Sequence, residues 1–265
     1  LALMAASCRT TTVQPTGSYS PGQKALATEF TLASWNVQKA VPDDFPTYFR
    51  ELARKNPPDL IFLQEARSGT EPIPGFGGIF APAWRSPGSG TAYGVQTMSR
   101  VKPTSFDNLP SRLRELWITT PKTSLAMIYP LSDGQQLLAL NTHCLNFERF
   151  GTGAFRTQIE DLETHILAHD GPILLAGDFN TWSARRLEVL EEMSSRTGLR
   201  EITHFPAPRK SAGTGFLSRF AGAPPHLPLD RVFVRGLEGE EPTVLAIDFS
   251  DHRPLTVRLK VIPKH

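Results

Sequence analysis

The sequence predicts an α/β fold in which two mixed sheets pack face to face with helices on the outside. Three observations carry this. The run Pro172-Ile173-Leu174-Leu175-Ala176 is short and apolar throughout, as in a strand buried on both faces. Residues 152–169 have helical spacing, with Phe155, Ile159, Leu162 and Ile166 on one face. The final strand alternates Leu255, Val257, Leu259 and Val261 against Thr256, Arg258 and Lys260, which gives one buried and one wet face.

The folded part begins near Glu29, after residues 1–28, which read as a leader remnant and flexible tether. A first strand runs to about Asn36. Phe45, Tyr48, Phe49 and Leu52 then mark one helix face over 43–55, and Asn56-Pro57-Pro58 stops it. A strand at 60–64 follows, and the Gly/Pro-rich stretch 68–90 reads as a loop. Strands are expected near 92–99, 123–129 and 136–142, the last two paired antiparallel across Ser132-Asp133-Gly134. Another helix, roughly 183–196, leaves the loop at Asn180. The stretch 205–228, with five prolines, has no period. The whole of 29–263 is read as a single domain.

At 265 residues and 29.3 kDa the chain can bury a large core as one domain. A formal net charge of +2 gives no strong electrostatic pull toward nucleic acid or membrane, although a groove can still be locally basic. No apolar run is long enough to cross a bilayer. The two cysteines, Cys8 and Cys144, offer neither a disulfide framework nor a zinc ligand set. Leu1 to Cys8 reads as the tail of a secretory h-region. Ala5-Ala6-Ser7-Cys8 is similar to a bacterial lipoprotein processing site, so the expectation is an exported protein, periplasmic or lipid-anchored at Cys8. A trimmed N-terminus on a cytoplasmic protein is the competing reading.

The chemistry sits where apolar runs stop. Asn36 ends the first strand, Gln64-Glu65 the second, and Asn141-Thr142-His143 a third. Gly177-Asp178-Phe179-Asn180 follows the greasiest run, Asp230 opens the run Arg231–Val234, and Ser250-Asp251-His252 precedes the final strand. Polar clusters at the ends of buried strands are poor core filling and good site material. Glu65, Asn36, Asp178, Asn180 and Asp251 are hard oxygen donors without clustered Cys or His, which suits Mg²⁺ or Mn²⁺. His143 and His252 remain for phosphate contacts or proton transfer, and Asp230 can orient one of them. A carboxylate-held cation with imidazoles is an apparatus for phosphoester hydrolysis.

The ordered set Trp35-Asn36-Val37, Leu63-Gln64-Glu65, Asn141-Thr142-His143, Gly177-Asp178-Phe179-Asn180, Leu229-Asp230-Arg231 and Ser250-Asp251-His252 resembles the endonuclease/exonuclease/phosphatase superfamily. That group, with the deoxyribonuclease I-like fold, includes nucleases, neutral sphingomyelinases and inositol polyphosphate phosphatases. The resemblance covers residues 30–260 and is closest to a bacterial branch of the group. It implies a four-layer α/β sandwich with the site at one edge of two packed sheets. It implies Glu65 as the principal metal ligand, with Asn36 beside it and Asp251 completing the shell. Asp178 would align or deprotonate the attacking water, and Asn180 would hold water and phosphate. His252, oriented by Asp230, would contact the scissile phosphate, and His143 would stabilise phosphoryl oxygens or assist the leaving group. Asn146 matches a phosphate-proximal Asn of some members.

Gln38-Lys39 and Ala66-Arg67 depart from the abasic-site endonuclease pattern, so repair specificity does not follow. The expected activity is a Mg²⁺- or Mn²⁺-dependent phosphodiesterase acting as a monomer on nucleic acid or another phosphoester, with no obligate protein partner. A lipid-headgroup or inositol-phosphate hydrolase is the alternative within the class, and a catalytically idle binding module the alternative outside it. Arg156, at the start of its helix, is a candidate phosphate contact. Arg185-Arg186 reads as an exposed helix face, and His165 and His169 as solvated. Trp84, Phe216 and Phe220 read as cleft walls or loop anchors.

Overall fold

A computed structural model describes residues 12–39, 45–55, 57–115, 121–148, 151–202, 228–240, 242–247 and 250–263. Cys8, Phe216 and Phe220, with nearly all of the 205–228 stretch, lie outside them. Among the described residues no helix is long and apolar enough to cross a membrane.

The chain runs β1 (Gln14–Gly17), β2 (Glu29–Asn36), α1 (Phe45–Lys55), β3 (Leu60–Arg67), β4 (Gly77–Arg85), β5 (Ala92–Ser99), β6 (Ser105–Pro110), β7 (Thr123–Pro130) and β8 (Gln136–His143). It continues through α2 (Gly153–Leu167), β9 (Ile173–Asp178), α3 (Ala184–Thr197), β10 (Arg200–Glu201), β11 (Asp230–Arg235), β12 (Leu237–Gly239), β13 (Thr243–Val244) and β14 (Leu255–Val261). One sheet has the order β1-β4-β5-β3-β2-β14-β12 with β13 beside β14, and the other β10-β11-β9-β8-β7-β6.

Both sheets are mixed. β2 and β3 run parallel in the first, β8 and β9 parallel in the second, and the remaining pairs are antiparallel. The period-2 geometry of a strand explains why the central runs are apolar at every position. Leu32, Leu60, Phe62, Leu125, Met127, Ala139, Leu174, Ala176, Leu255 and Val257 fill the core between the sheets. Their neighbours Ala33, Trp35, Ile61 and Leu63 face the other way, into a cluster that includes Leu52 of α1. Leu138, Leu140, Ile173 and Leu175 do the same beneath α2 and α3, which supply Phe155, Ile159, Leu162, Ile166, Val189 and Met193. Helix, sheet, sheet, helix is the layer order.

Three expectations need correction, and one strand is not expected from the sequence at all. The stretch 68–90 is not all loop, because β4 occupies Gly77–Arg85 and pairs with both β1 and β5. Its glycines conceal a strand whose side-chain space is taken by Tyr19 and Thr16. The tether boundary at 28 is too late, since β1 pairs with β4 and Leu26 is buried in the inter-sheet core. Ser105–Pro110 forms the edge strand β6, whose exposed side chains leave no apolar pattern to read. Arg186, expected on an exposed face, is fully buried.

Candidate active site

The parallel pairs deliver their carboxyl ends to one rim of the sandwich. β2 ends at Asn36, in register with Gln64 of β3. β8 and β9 end together, with His143 beside Asp178. Antiparallel β11 starts at the same rim, with Asp230 opposite Asp178. β14 enters there too, placing Ser250-Asp251-His252 just before its first residue. A cleft of about 500 Å³ opens at this rim, lined by Asn36, Gln38, Lys39, Glu65, His143, Asn146, Asp178, Asn180, Asp251 and His252.

Backbone irregularity aims these groups. Glu65 lies in a register break of β3 against β5, between Leu63 and Ala66, with φ +54°. A bulge there turns a carboxylate that a regular strand would direct into a sheet face. Asn180 has φ +51°, and Gln38 and Lys39 have φ +48° and +61°. Left-handed backbone at non-glycine residues is costly and gathers at functional sites. The turn over Gln38-Lys39 is stitched to the end of β3 by Val37 N–H to Gln64 O at 2.9 Å and Lys39 N–H to Glu65 O at 3.1 Å.

Asp178 is the centre of the cleft. Its Oδ2 accepts from Asn36 Nδ2 at 2.9 Å, the bond that joins the two sheets at the rim, and its Oδ1 accepts from the Asn180 amide at 2.9 Å. The same Oδ2 lies 3.6 Å from His143 Nε2 and 3.8 Å from His252 Nε2. His252 Nδ1 meets Asp230 Oδ2 at 2.8 Å, and Trp35 Nε1 donates to the His252 carbonyl at 2.9 Å. Ser250 Oγ donates to Asn36 O at 2.6 Å, so the last loop is fastened to the first strand.

Burial raises the Asp178 carboxyl to about 6, further helped by the Asp230 charge and opposed by His252 and the bonds from Asn36 and Asn180. Burial also disfavours charge on His252, but Asp230 and Asp178 outweigh it and raise the imidazole to about 10. His143 goes the other way. Burial, then Lys122, His252 and Lys39, hold it well below the usual imidazole range. Its 3.6 and 3.8 Å approaches to Asp178 and Glu65 are therefore contacts of a neutral ring, not ion pairs.

The metal set is a partial shell. Among the described residues no three His, Cys, Asp or Glu side chains form a cage. Glu65, Asn36 and Asp251 nonetheless line one open cleft. A hard cation that keeps most of its waters and takes one or two carboxylates fits such a donor set. Asp251 is half-buried, and its backbone N–H donates to Gln38 Oε1 at 3.3 Å.

Arg156 is not brought to the cleft. It lies on α2 with its guanidinium bonded to Glu192 of α3 at 2.5 and 3.2 Å, because the helical phase that buries Phe155 turns its neighbour outward. His165 stays on α2, and His169 contacts Gln136 O at 3.0 Å. Trp84 stacks on Tyr93, centroids 5.1 Å apart, beside Glu65 and Lys122. Sequence reasoning missed Lys122, which is almost buried with its Nζ 3.6 Å from Glu65 and 3.7 Å from Glu115. A lysine one residue before a strand carries no signal of its own.

The model of the Endonuclease/Exonuclease/phosphatase family matches residues 33–252, from the first strand of the cleft to His252. The chain belongs to this family. Its members are phosphoester hydrolases, nucleases and phosphatases among them. A UPF0294 protein of Vibrio cholerae is 34% identical over 242 residues, covering 88% of this chain and 79% of its own length. The endonuclease/exonuclease/phosphatase family protein of Leptotrichia buccalis superposes with a TM-score of 0.65 at 15% identity, over 87% of this chain and 99% of its own. The human Nocturnin catalytic domain with bound sulfate superposes with a TM-score of 0.63 at 20% identity, over 89% and 96%. These structures share the fold of this family member.

Proposed function

We propose that the protein is a Mg²⁺- or Mn²⁺-dependent phosphodiesterase that hydrolyses P–O bonds by in-line attack of water. The observation that carries this reading is the buried Asp178 carboxylate set between a neutral and a cationic imidazole. Asp178, with its Oδ2 oriented by Asn36, takes the proton of the attacking water. Cationic His252, held by Asp230, donates to a non-bridging phosphoryl oxygen. Neutral His143 donates a ring N–H to the phosphoryl group without adding charge beside Lys122. Asn180 and Asn146 orient the water and the phosphate from the adjoining loops. A divalent cation held by Glu65, Asn36 and Asp251 would offset charge on the phosphoryl oxygens.

Lys39 and cationic His252 share the cleft with Glu65, Asp178 and Asp251, and Lys122 is paired with Glu65 and Glu115. The lining therefore has no excess positive charge of its own, and a divalent cation on those carboxylates would be what favours an anionic diester such as a nucleic acid. The sulfate bound by the structurally similar Nocturnin domain is a tetrahedral anion of the same kind.

The test is hydrolysis of an aryl phosphodiester with and without Mg²⁺ or Mn²⁺, beside Asp178→Asn. Metal-dependent turnover should fall between about 10²- and 10⁴-fold in the variant. Turnover that needs no metal, or survives the substitution, would contradict the roles assigned. Calorimetric titration of Mg²⁺ into wild type and Glu65→Gln, expected to bind and not to bind, checks the cation site independently of substrate.

A further inference from the structure

The chain after β8 makes an unusual set of bonds. The carbonyls of His143, Cys144, Leu145 and Asn146 each accept from a side chain: Gln158 Nε2 at 3.0 Å, Asn180 Nδ2 at 2.9 Å, Arg186 Nη1 at 2.5 Å and Trp182 Nε1 at 2.9 Å. The Leu145 and Asn146 amides donate to Gln158 Oε1 and Glu115 Oε1. A loop that would ordinarily rely on water is held throughout by side chains, three of them from Asn180-Thr181-Trp182 and the first turn of α3.

Arg186 is the hub. Its Nη1 also donates to the Asn180 carbonyl at 2.9 Å, so one nitrogen ties the loop of Asn146 to the loop of Asn180. Its Nη2 donates to Glu148 Oε1 at 3.1 Å, and the Glu148 carboxylate in turn accepts from the Ala154 and Phe155 amides at the start of α2. The guanidinium lies 4.6 Å from the Phe155 ring centroid and 4.8 Å from that of Trp182.

A purely structural filler would not look like this. The side chain is fully buried, and its Nε–H finds no partner among the described residues. Burying a cation with a donor unsatisfied is costly, and an apolar side chain would fill the space between two aromatic rings more cheaply. Only the planar, permanently charged fork can hold two backbone carbonyls and a carboxylate at once. Asn180 needs such a hold because its left-handed backbone, φ +51°, is unfavourable on its own.

We propose that Arg186 is a positioning residue of the active site, which locks the Asn180 and His143–Asn146 loops in their working geometry through two backbone carbonyls and Glu148. The proposal rests on the phosphodiesterase reading of the cleft. Arg186 does not reach the cleft itself; it acts through Asn180 and Asn146.

The experiment compares wild type with Arg186→Lys, Arg186→Met and Glu148→Gln in the full chain, well below each unfolding midpoint. The expected result is a kcat per folded molecule about 100-fold lower in Arg186→Met with little change in KM, since misplacing a reacting group by an ångström costs that much. Arg186→Lys, which can reach one carbonyl but not both, should recover only part of it. A lowered midpoint with unchanged kcat in both Arg186 variants would reduce the residue to packing and overturn the proposal. A second readout needs no activity: in Arg186→Lys the side-chain amide resonances of Asn180 should shift while those of Asn36, on the other sheet, stay in place. Unshifted Asn180 resonances overturn the proposal even if the protein turns over no diester. Shifted resonances in a wild type without diesterase activity sustain the positioning and refute the phosphodiesterase reading alone. Should Arg186→Met fail to fold, the Lys variant carries both readouts.

Discussion

Two imidazoles flank one carboxylate, and their surroundings give them opposite charge. The reason is which groups stand behind them. Asp230 backs His252 at 2.8 Å, whereas His143 has the Lys122 ammonium among its neighbours and is deeply buried. The sequence marks both histidines as strand-end residues but carries nothing that distinguishes them, because the discriminating partners arrive from β7 and β11. The His252 charge has a measurable consequence in the metal-free protein. Its imidazole titrates near 10 in the folded state against 6.5 in a model peptide. A group raised on folding contributes stability that is complete below the unfolded value and is lost as pH rises through the folded one. Unfolding free energy in EDTA, wild type minus His252→Asn, should therefore decline from pH 6.5 toward about pH 10, by at most about 1.4 kcal/mol per pH unit. A difference that stays flat across that window would remove the cationic assignment.

β9 shows how an element can be legible and its neighbour hidden. Ile173–Ala176 is buried on both faces and reads directly as a central strand. Gly177 continues it because nothing else fits. It has φ +144°, and a Cβ there would stand 2.0 Å from the Thr142 carbonyl oxygen of the parallel partner β8. The residue must be small so that Asp178 and His143 end side by side. Gly177→Ala should cost about 3 kcal/mol or more, from backbone strain plus that clash, read as a lower urea midpoint or loss of soluble protein. An alanine variant as stable as wild type would mean that the strands can part there without penalty. β4 is the opposite case. Gly77, Gly78 and Pro82 have the composition of a loop, and only Tyr19 and Thr16 of the preceding segment, packed where Cβ atoms would be, make a strand of it. Arg186 was illegible for the same reason, because a pair of arginines on a helix looks solvated until two distant loops are known to close over one of them. Period-2 and period-3.6 patterns expose elements that bury their own side chains; they are silent where a neighbour does the burying.

The cleft exists only while the two sheets keep their relative position. Glu65 and Asn36 come from one sheet, and His143, Asp178 and Asp230 from the other. Hydrophobic burial between the sheets is non-directional and does not fix their registry to a fraction of an ångström. Besides the Asn36–Asp178 bond at the rim, a directional link deeper between the sheets is Asn141, buried near the end of β8. Its Oδ1 accepts from Gln64 Nε2 at 2.8 Å, and its Nδ2 lies 3.0 Å from Gln96 O and 3.2 Å from Thr97 Oγ1, both on β5. Gln64 immediately precedes Glu65, and Asn141 stands two residues before His143, so this one contact registers the cation ligand against the phosphate-binding side. Asn141→Ala leaves several buried polar groups without partners and should cost about 3 kcal/mol. Leu138→Ala, on the outer face of the same strand beneath α2, should cost a similar amount, about 2 to 5 kcal/mol, by opening a cavity. If inter-sheet registry governs the site, the two variants diverge in function. At equal fractions folded, Asn141→Ala loses about 100-fold in kcat, and Leu138→Ala remains near wild type. Equal losses would mean that activity follows stability alone, and that Asn141 is core filling of a polar kind.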